Sequence, residues 1–205
     1  TLPTPEWLWL STGMRAVDHC VEAICSTTAQ PFTDALAARA LDMLVTYLPQ
    51  CKADPSDLVA RGQCQVASWL SVFGLGSVTL GLSHGIGHQL GARCDVPHGI
   101  TSCVMLHHTM GFNRSHTADQ QAWIADIMGV ETSNMDADVA AQAAQRAMTR
   151  FVESLDLPTR LSQVGVTEDE FPALAKDALE DLIVATNPRP VESEETVVEL
   201  LRSSL

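Results

Sequence analysis

Along most of this chain the apolar residues return every three or four positions, and nowhere do they alternate through a run bounded by hairpin turns. Side chains at that spacing share one face of a helix, whereas a strand needs a period of two, so the spacing predicts an all-α fold. Met14, Val17, Val21 and Ile24 mark a first helix, expected to begin near Met14 behind a cap at Ser11, Thr12 and Gly13. Pro31 with Thr33 and Asp34 opens a second, carrying Leu36, Ala40, Leu44 and Leu48, which Pro49 is expected to stop.

A third run, from about Leu58 to Leu75 with Val66, Trp69, Leu70 and Phe73, reads as a buried core helix that glycines then loosen. Another buried helix follows Pro97, and a short separate one ends at Gly129. The alanine-rich run from Asp136 is strongly amphipathic. Thr167 and Glu170 have the spacing of a capping box, and Ser193 precedes the last helix. Nothing marks a boundary, and residues 1–205 are read as a single α-helical domain.

A hydrophobic content of 46% with 18% charged residues suits a packed globular chain. The formal net charge of -13 repels a nucleic-acid backbone or an anionic membrane surface, so neither is an expected partner. A local basic pocket for a small anionic substrate remains compatible with that charge. The six cysteines form neither a CxxC pair nor a compact framework, which favours reduced thiols and a cytoplasmic location.

The stretch SHGIGHQLGARCDVPHG concentrates three of the seven histidines, His84, His88 and His98. His84 and His88 lie one helical turn apart, and a Pro-His-Gly turn can bring His98 back toward them. Three imidazoles either ligate a divalent metal with one position left open, share a proton-transfer task, or pack. Gly85 stands where a zincin protease would carry its glutamate, and no GxSxG is present. His107 and His108 are adjacent and point different ways, so at most one can join a site, and His116 reads as a solvated loop residue.

Together, STGMRAVDHCVEAICS, SHGIGHQLGARCDVPHG and the late NPRP resemble the C-terminal helical domain of the iron-containing alcohol dehydrogenases, a dehydroquinate synthase-like fold, and most nearly the maleylacetate reductase branch. The resemblance implies an NAD(H)- or NADP(H)-dependent oxidoreductase whose cofactor is bound mainly by an N-terminal nucleotide-binding domain, missing here or carried on another chain. A helical half parted from its cofactor domain would expose apolar surface, so a homo-oligomer, such as a dimer, is expected. The resemblance also implies metal ligation by His19, His84 and His98, with His88 near the nicotinamide and substrate. The family's aspartate ligand, four residues before the first histidine, is Arg15 in this chain.

A guanidinium has no lone pair to give a metal and repels a dication. Asp18 is not expected to replace the missing ligand, because neighbours on a helix point about a hundred degrees apart. The site is therefore read two ways: iron or zinc held by the three histidines, or a metal-free reductase in which Arg15 pairs with a substrate carboxylate and His88 serves catalysis. The second is expected to reduce an anionic unsaturated keto acid, and the first to act on small alcohols and aldehydes. From a different class, a helical metal-binding or interaction module without catalysis also fits the pattern.

Overall fold

A computed structural model describes residues 1–205 as eight α-helices with no strand: α1 Glu6–Ile24, α2 Pro31–Ala53, α3 Leu58–Phe73, α4 Leu82–Cys94, α5 His98–Ile127, α6 Ala137–Ser154, α7 Phe171–Glu180 and α8 Glu194–Ser203. Forty-eight buried residues form one contiguous hydrophobic core, which runs through every helix. Helix α5 lies at its centre, packed on α1, α4 and α6, while α2 is sandwiched between α1 and α3.

Several helix starts follow from local chemistry. Asp57, Asp136 and Ser193 each accept backbone N–H groups from the first turns of α3, α6 and α8, satisfying donors that a helix end leaves free. Other boundaries differ from the sequence expectation. Helix α1 begins eight residues before Met14, and Ser11, Thr12 and Gly13 lie inside it. The hydroxyls of Ser11 and Thr12 donate back to the Leu8 carbonyl, so they follow the helix instead of capping it.

Pro49 does not end α2, which continues for one more turn. That turn is anchored by Cys51, buried with its Sγ 3.7 Å from the Cys64 Sγ of α3. The short helix expected before Gly129 is continuous with α5 across a kink at Thr117. Thr167 makes no side-chain cap, and a tight turn at Glu168–Glu170 leads into α7 instead.

The expectation for α3 is corrected more deeply. The face it buries is Ala60, Arg61, Cys64, Ala67 and Ser71, whereas Val66, Trp69 and Phe73 are 47%, 60% and 57% exposed. Small residues let α3 approach α2 closely, and the larger apolar residues are left outside. No single helix is long and apolar enough to cross a membrane, and the one pair with the required length and composition, Leu58–Ser77 with Leu82–Cys94, is bent by 104° at its break.

Candidate active site

Helix α4 carries two of the histidines, and its N-terminus is fixed by residues far away in sequence. Both carboxylate oxygens of Glu22, on α1, accept from that end: Oε2 from the Gly81 N–H and Oε1 from the Ser83 N–H, each at 2.8 Å. The Leu82 N–H donates to Asn187 Oδ1 at 3.0 Å, and Asn187 in turn bonds Asn113 of α5. The Asn187-Pro188-Arg189-Pro190 segment is thus a clasp on the start of α4. A buried carboxylate is well placed at a helix N-terminus, where free amides and the helix dipole both favour negative charge.

The same Glu22 aligns the first histidine. His84, 2% exposed, has its Nδ1 2.7 Å from Glu22 Oε2 and 3.6 Å from Asp18 Oδ1, while its Nε2 is buried without a partner. A histidine tied through one nitrogen to a carboxylate has its ring orientation set for work at the other. Burial lowers the His84 pKa, but Asp18 and Glu22 outweigh it, and the imidazole keeps its proton above the ordinary histidine range. For Glu22, burial is likewise outweighed by His84 and the two amides, which hold the acid below its ordinary range.

Asp18 forms the rest of the floor. Its Oδ2 accepts from Ser102 Oγ at 2.6 Å and Ser83 Oγ at 2.9 Å. Arg15 lies beside it: Nη1 donates to Ser102 Oγ at 3.1 Å and sits 3.6 Å from Asp18 Oδ2, while Nε is buried with no partner. Burial lowers the Arg15 pKa against the opposing pull of Asp18 and Glu22. An arginine so far above neutrality to begin with remains a cation.

The remaining histidines sit higher. The His19 ring stacks on that of His84 with centroids 5.1 Å apart, and burial, reinforced by His84, lowers its pKa to about 4, so it is neutral. His88 and His98 lie at the open mouth with nearly parallel rings, centroids 6.2 Å apart. His88 Nδ1 is 2.9 Å from Asp181 Oδ2, which also accepts from Gln89. Burial and the nearby Arg15 lower the His98 pKa.

All five sequence-proposed residues, Arg15, His19, His84, His88 and His98, therefore fall in one region. They divide into a pair of stacked inner rings, a pair of outer rings and a cation. His107 and His108 do not join them; they lie on α5 facing Thr159, and His116 is exposed on the same helix, not in a loop. Asp18, set aside in the sequence because it adjoins His19, reaches His84 and Arg15 from beneath. Glu22, Ser102 and Asp181 gave no motif signal, although Asp18 and Glu22 share a face of α1 by their four-residue spacing.

The metal expectation is tested by the donor atoms. The one group of three or more ligand-type side chains with donor atoms all within 4.8 Å of one another is Asp18, Glu22 and His84, not His19, His84 and His98. In that group both Glu22 oxygens and Asp18 Oδ2 already accept hydrogen bonds. With Arg15 adjoining it, this donor set does not fit a divalent cation. Nor do these residues form a phosphate cradle: Leu75–Ser77 is a tight turn between two helices, not a strand-to-helix loop.

An all-helical bundle with this histidine-lined mouth is of the dehydrogenase C-terminal class. The chain belongs to the Fe-containing alcohol dehydrogenase family, whose C-terminal family model matches residues 9–205. It is 36% identical to 1,3-propanediol dehydrogenase of Citrobacter freundii, over 99% of this chain and 52% of that protein. It is 32% identical to NAD-dependent methanol dehydrogenase of Bacillus methanolicus, over 98% and 52%. The chain thus spans about half the length of the curated relatives it matches.

Among solved structures, a 1,3-propanediol oxidoreductase superposes with a TM-score of 0.96 at 34% identity, covering all of this chain and 53% of that one. Maleylacetate reductase from Agrobacterium tumefaciens superposes at 0.86 and 26%, covering all of this chain and 54% of that one. Of these two, the 1,3-propanediol oxidoreductase has the higher TM-score and identity, and the maleylacetate reductase is a structural neighbour at lower identity.

Proposed function

We propose that this chain is the helical half of a nicotinamide-dependent oxidoreductase that reduces a small carbonyl compound bearing a carboxylate, with an unsaturated keto acid such as maleylacetate as the type. The observation that carries this reading is Arg15, a buried guanidinium held on one side by Ser102, with its Nε left unpartnered. Nε and the neighbouring terminal nitrogen form a fork that matches a carboxylate, and an arginine already anchored loses little freedom in using it.

When bound, NADH or NADPH supplies a hydride. The residues of this chain supply the proton that must follow, because hydride addition leaves an electron pair on the enolate or alkoxide of the substrate. His84, aligned by Glu22, has its Nε2 without a partner, and His88 is oriented by Asp181. General-acid assistance of this kind contributes about a hundredfold to ten-thousandfold in rate.

The test combines this chain with a nucleotide-binding half and follows NADH consumption with maleylacetate, lactaldehyde and a simple aldehyde. The expected outcome is a preference for the carboxylate-bearing substrate that collapses in Arg15→Gln, chiefly through a higher KM. Equal turnover of all three, unchanged by that substitution, would overturn the reading. A second reading, iron- or zinc-dependent oxidation of small alcohols, is supported by the greater likeness to 1,3-propanediol dehydrogenase and predicts activity with 1,3-propanediol instead.

A further inference from the structure

We infer that this site is built to exclude a divalent cation, with the Arg15 guanidinium occupying the place of a ligand and furnishing a fixed positive charge in the cation's stead. The inference rests on the reading of the same residues as a reductase site and adds to it what the site refuses.

Position comes first. Arg15 is one helical turn before His19 on α1 and is 7% exposed, so its charge lies inside the layer formed by Asp18, His19 and His84. It is not free to swing out. Ser102 Oγ accepts from Nη1 at 3.1 Å, and Asp18 Oδ2 lies 3.6 Å from the same nitrogen. On the opposite side Gly87 of α4 packs against it: a Cβ there would stand 3.6 Å from Nη1, in ordinary contact, with the closer approach being to Thr101 Oγ1 at 2.9 Å.

Donor chemistry comes second. A guanidinium carries five N–H groups and no lone pair, so it can neither ligate nor tolerate a neighbouring dication. The carboxylates that would attract one are already committed. Glu22 accepts three hydrogen bonds, from the Gly81 and Ser83 amides and from His84. Asp18 Oδ2 accepts from two hydroxyls. Only Asp18 Oδ1 and His84 Nε2 lack partners in this layer's acid and imidazole groups, apart from His19 Nδ1, and these three do not form a cluster within ligating range.

The two buried acids thus face a cation that the chain carries itself. Were position 15 a carboxylate, these two acids would face one more negative charge, and the deficit would have to be met from solution. The difference at this one position is two charge units.

The experiment is elemental mass spectrometry of the chain purified without chelator or histidine tag, followed by equilibrium dialysis against Zn(II) and, without oxygen, Fe(II). The wild-type chain is expected to carry far less than one ion per chain, while Arg15→Asp takes up one and gains more than about a hundredfold in affinity, beyond the effect of a merely supporting group. Arg15→Asn, which removes the charge without adding one, should fall between, and circular dichroism establishes that each variant is folded.

About one zinc or iron per wild-type chain would overturn the inference without needing either variant. Folded Arg15→Asp and Arg15→Asn chains that both stay empty would overturn the assignment of exclusion to Arg15. Because neither readout involves turnover, a failure of the keto-acid assay leaves this result separately decidable.

Discussion

His107 is one of three histidines that the site does not use, and it is the most deeply buried of them. It is 4% exposed on α5, its Nδ1 has no partner, and burial followed by the neighbouring His108 lowers its pKa to about 3. In the unfolded chain the ordinary value of 6.5 applies, so the unfolded state binds the extra proton first as pH falls. The stability this neutral ring contributes is full above pH 6.5 and is lost progressively toward pH 3, at no more than about 1.4 kcal/mol per pH unit. Thermal unfolding between pH 7 and 4 should therefore fall less steeply in His107→Gln than in the wild type, and identical slopes would remove the argument. His19, lowered to about 4, acts in the same direction and remains in both proteins. Residues of this kind separate what a sequence discloses from what it hides. His84, His88 and His98 stood out because their motif is local. Asp181 is 93 positions from the His88 it orients, and Glu22 acts on the start of a helix sixty residues on, so no spacing within one segment could announce either.

At the scale of elements, the helices meet where side chains are missing. A Cβ on Gly99, in the first turn of α5, would lie 2.5 Å from the Ser11 backbone carbon and oxygen of α1, and one on Gly85 would lie 2.3 Å from Val184 Cγ2. The first of these obstacles is main chain and cannot rotate away. Gly99→Ala is expected to lower stability by roughly 1–3 kcal/mol, the usual cost of forcing atoms into a packed contact, measured as a lower midpoint in urea. A wild-type midpoint in that variant would show that α1 and α5 separate more easily than the packing implies. The all-α class and most helix starts were legible because they depend on periodicity and capping within one segment. The face that α3 buries was not, since an apolar stripe records that something covers it but not which neighbour, and here the small stripe was the one that docked.

Across the whole molecule, the uncovered stripe of α3 joins α2 in an aromatic surface. Phe73 stands between Phe32 and Trp69, with ring centroids 6.3 Å and 5.4 Å away, and all three are more than half exposed. Apolar surface of this size seeks a partner, and we propose that chains prepared alone associate through it. Sedimentation velocity should show concentration-dependent assembly that Trp69→Glu abolishes while leaving the helical circular dichroism intact. Association unaltered by that change would place the contact elsewhere. The site's layering has a different consequence. Asp18 and Glu22 are buried, at 0% and 7% exposure, whereas His88 and His98 meet solvent. The rings that meet solvent are therefore not the ones that rest on the buried acids, and a surface that comes to cover His88 and His98 finds Asp18, Glu22 and His84 already dry.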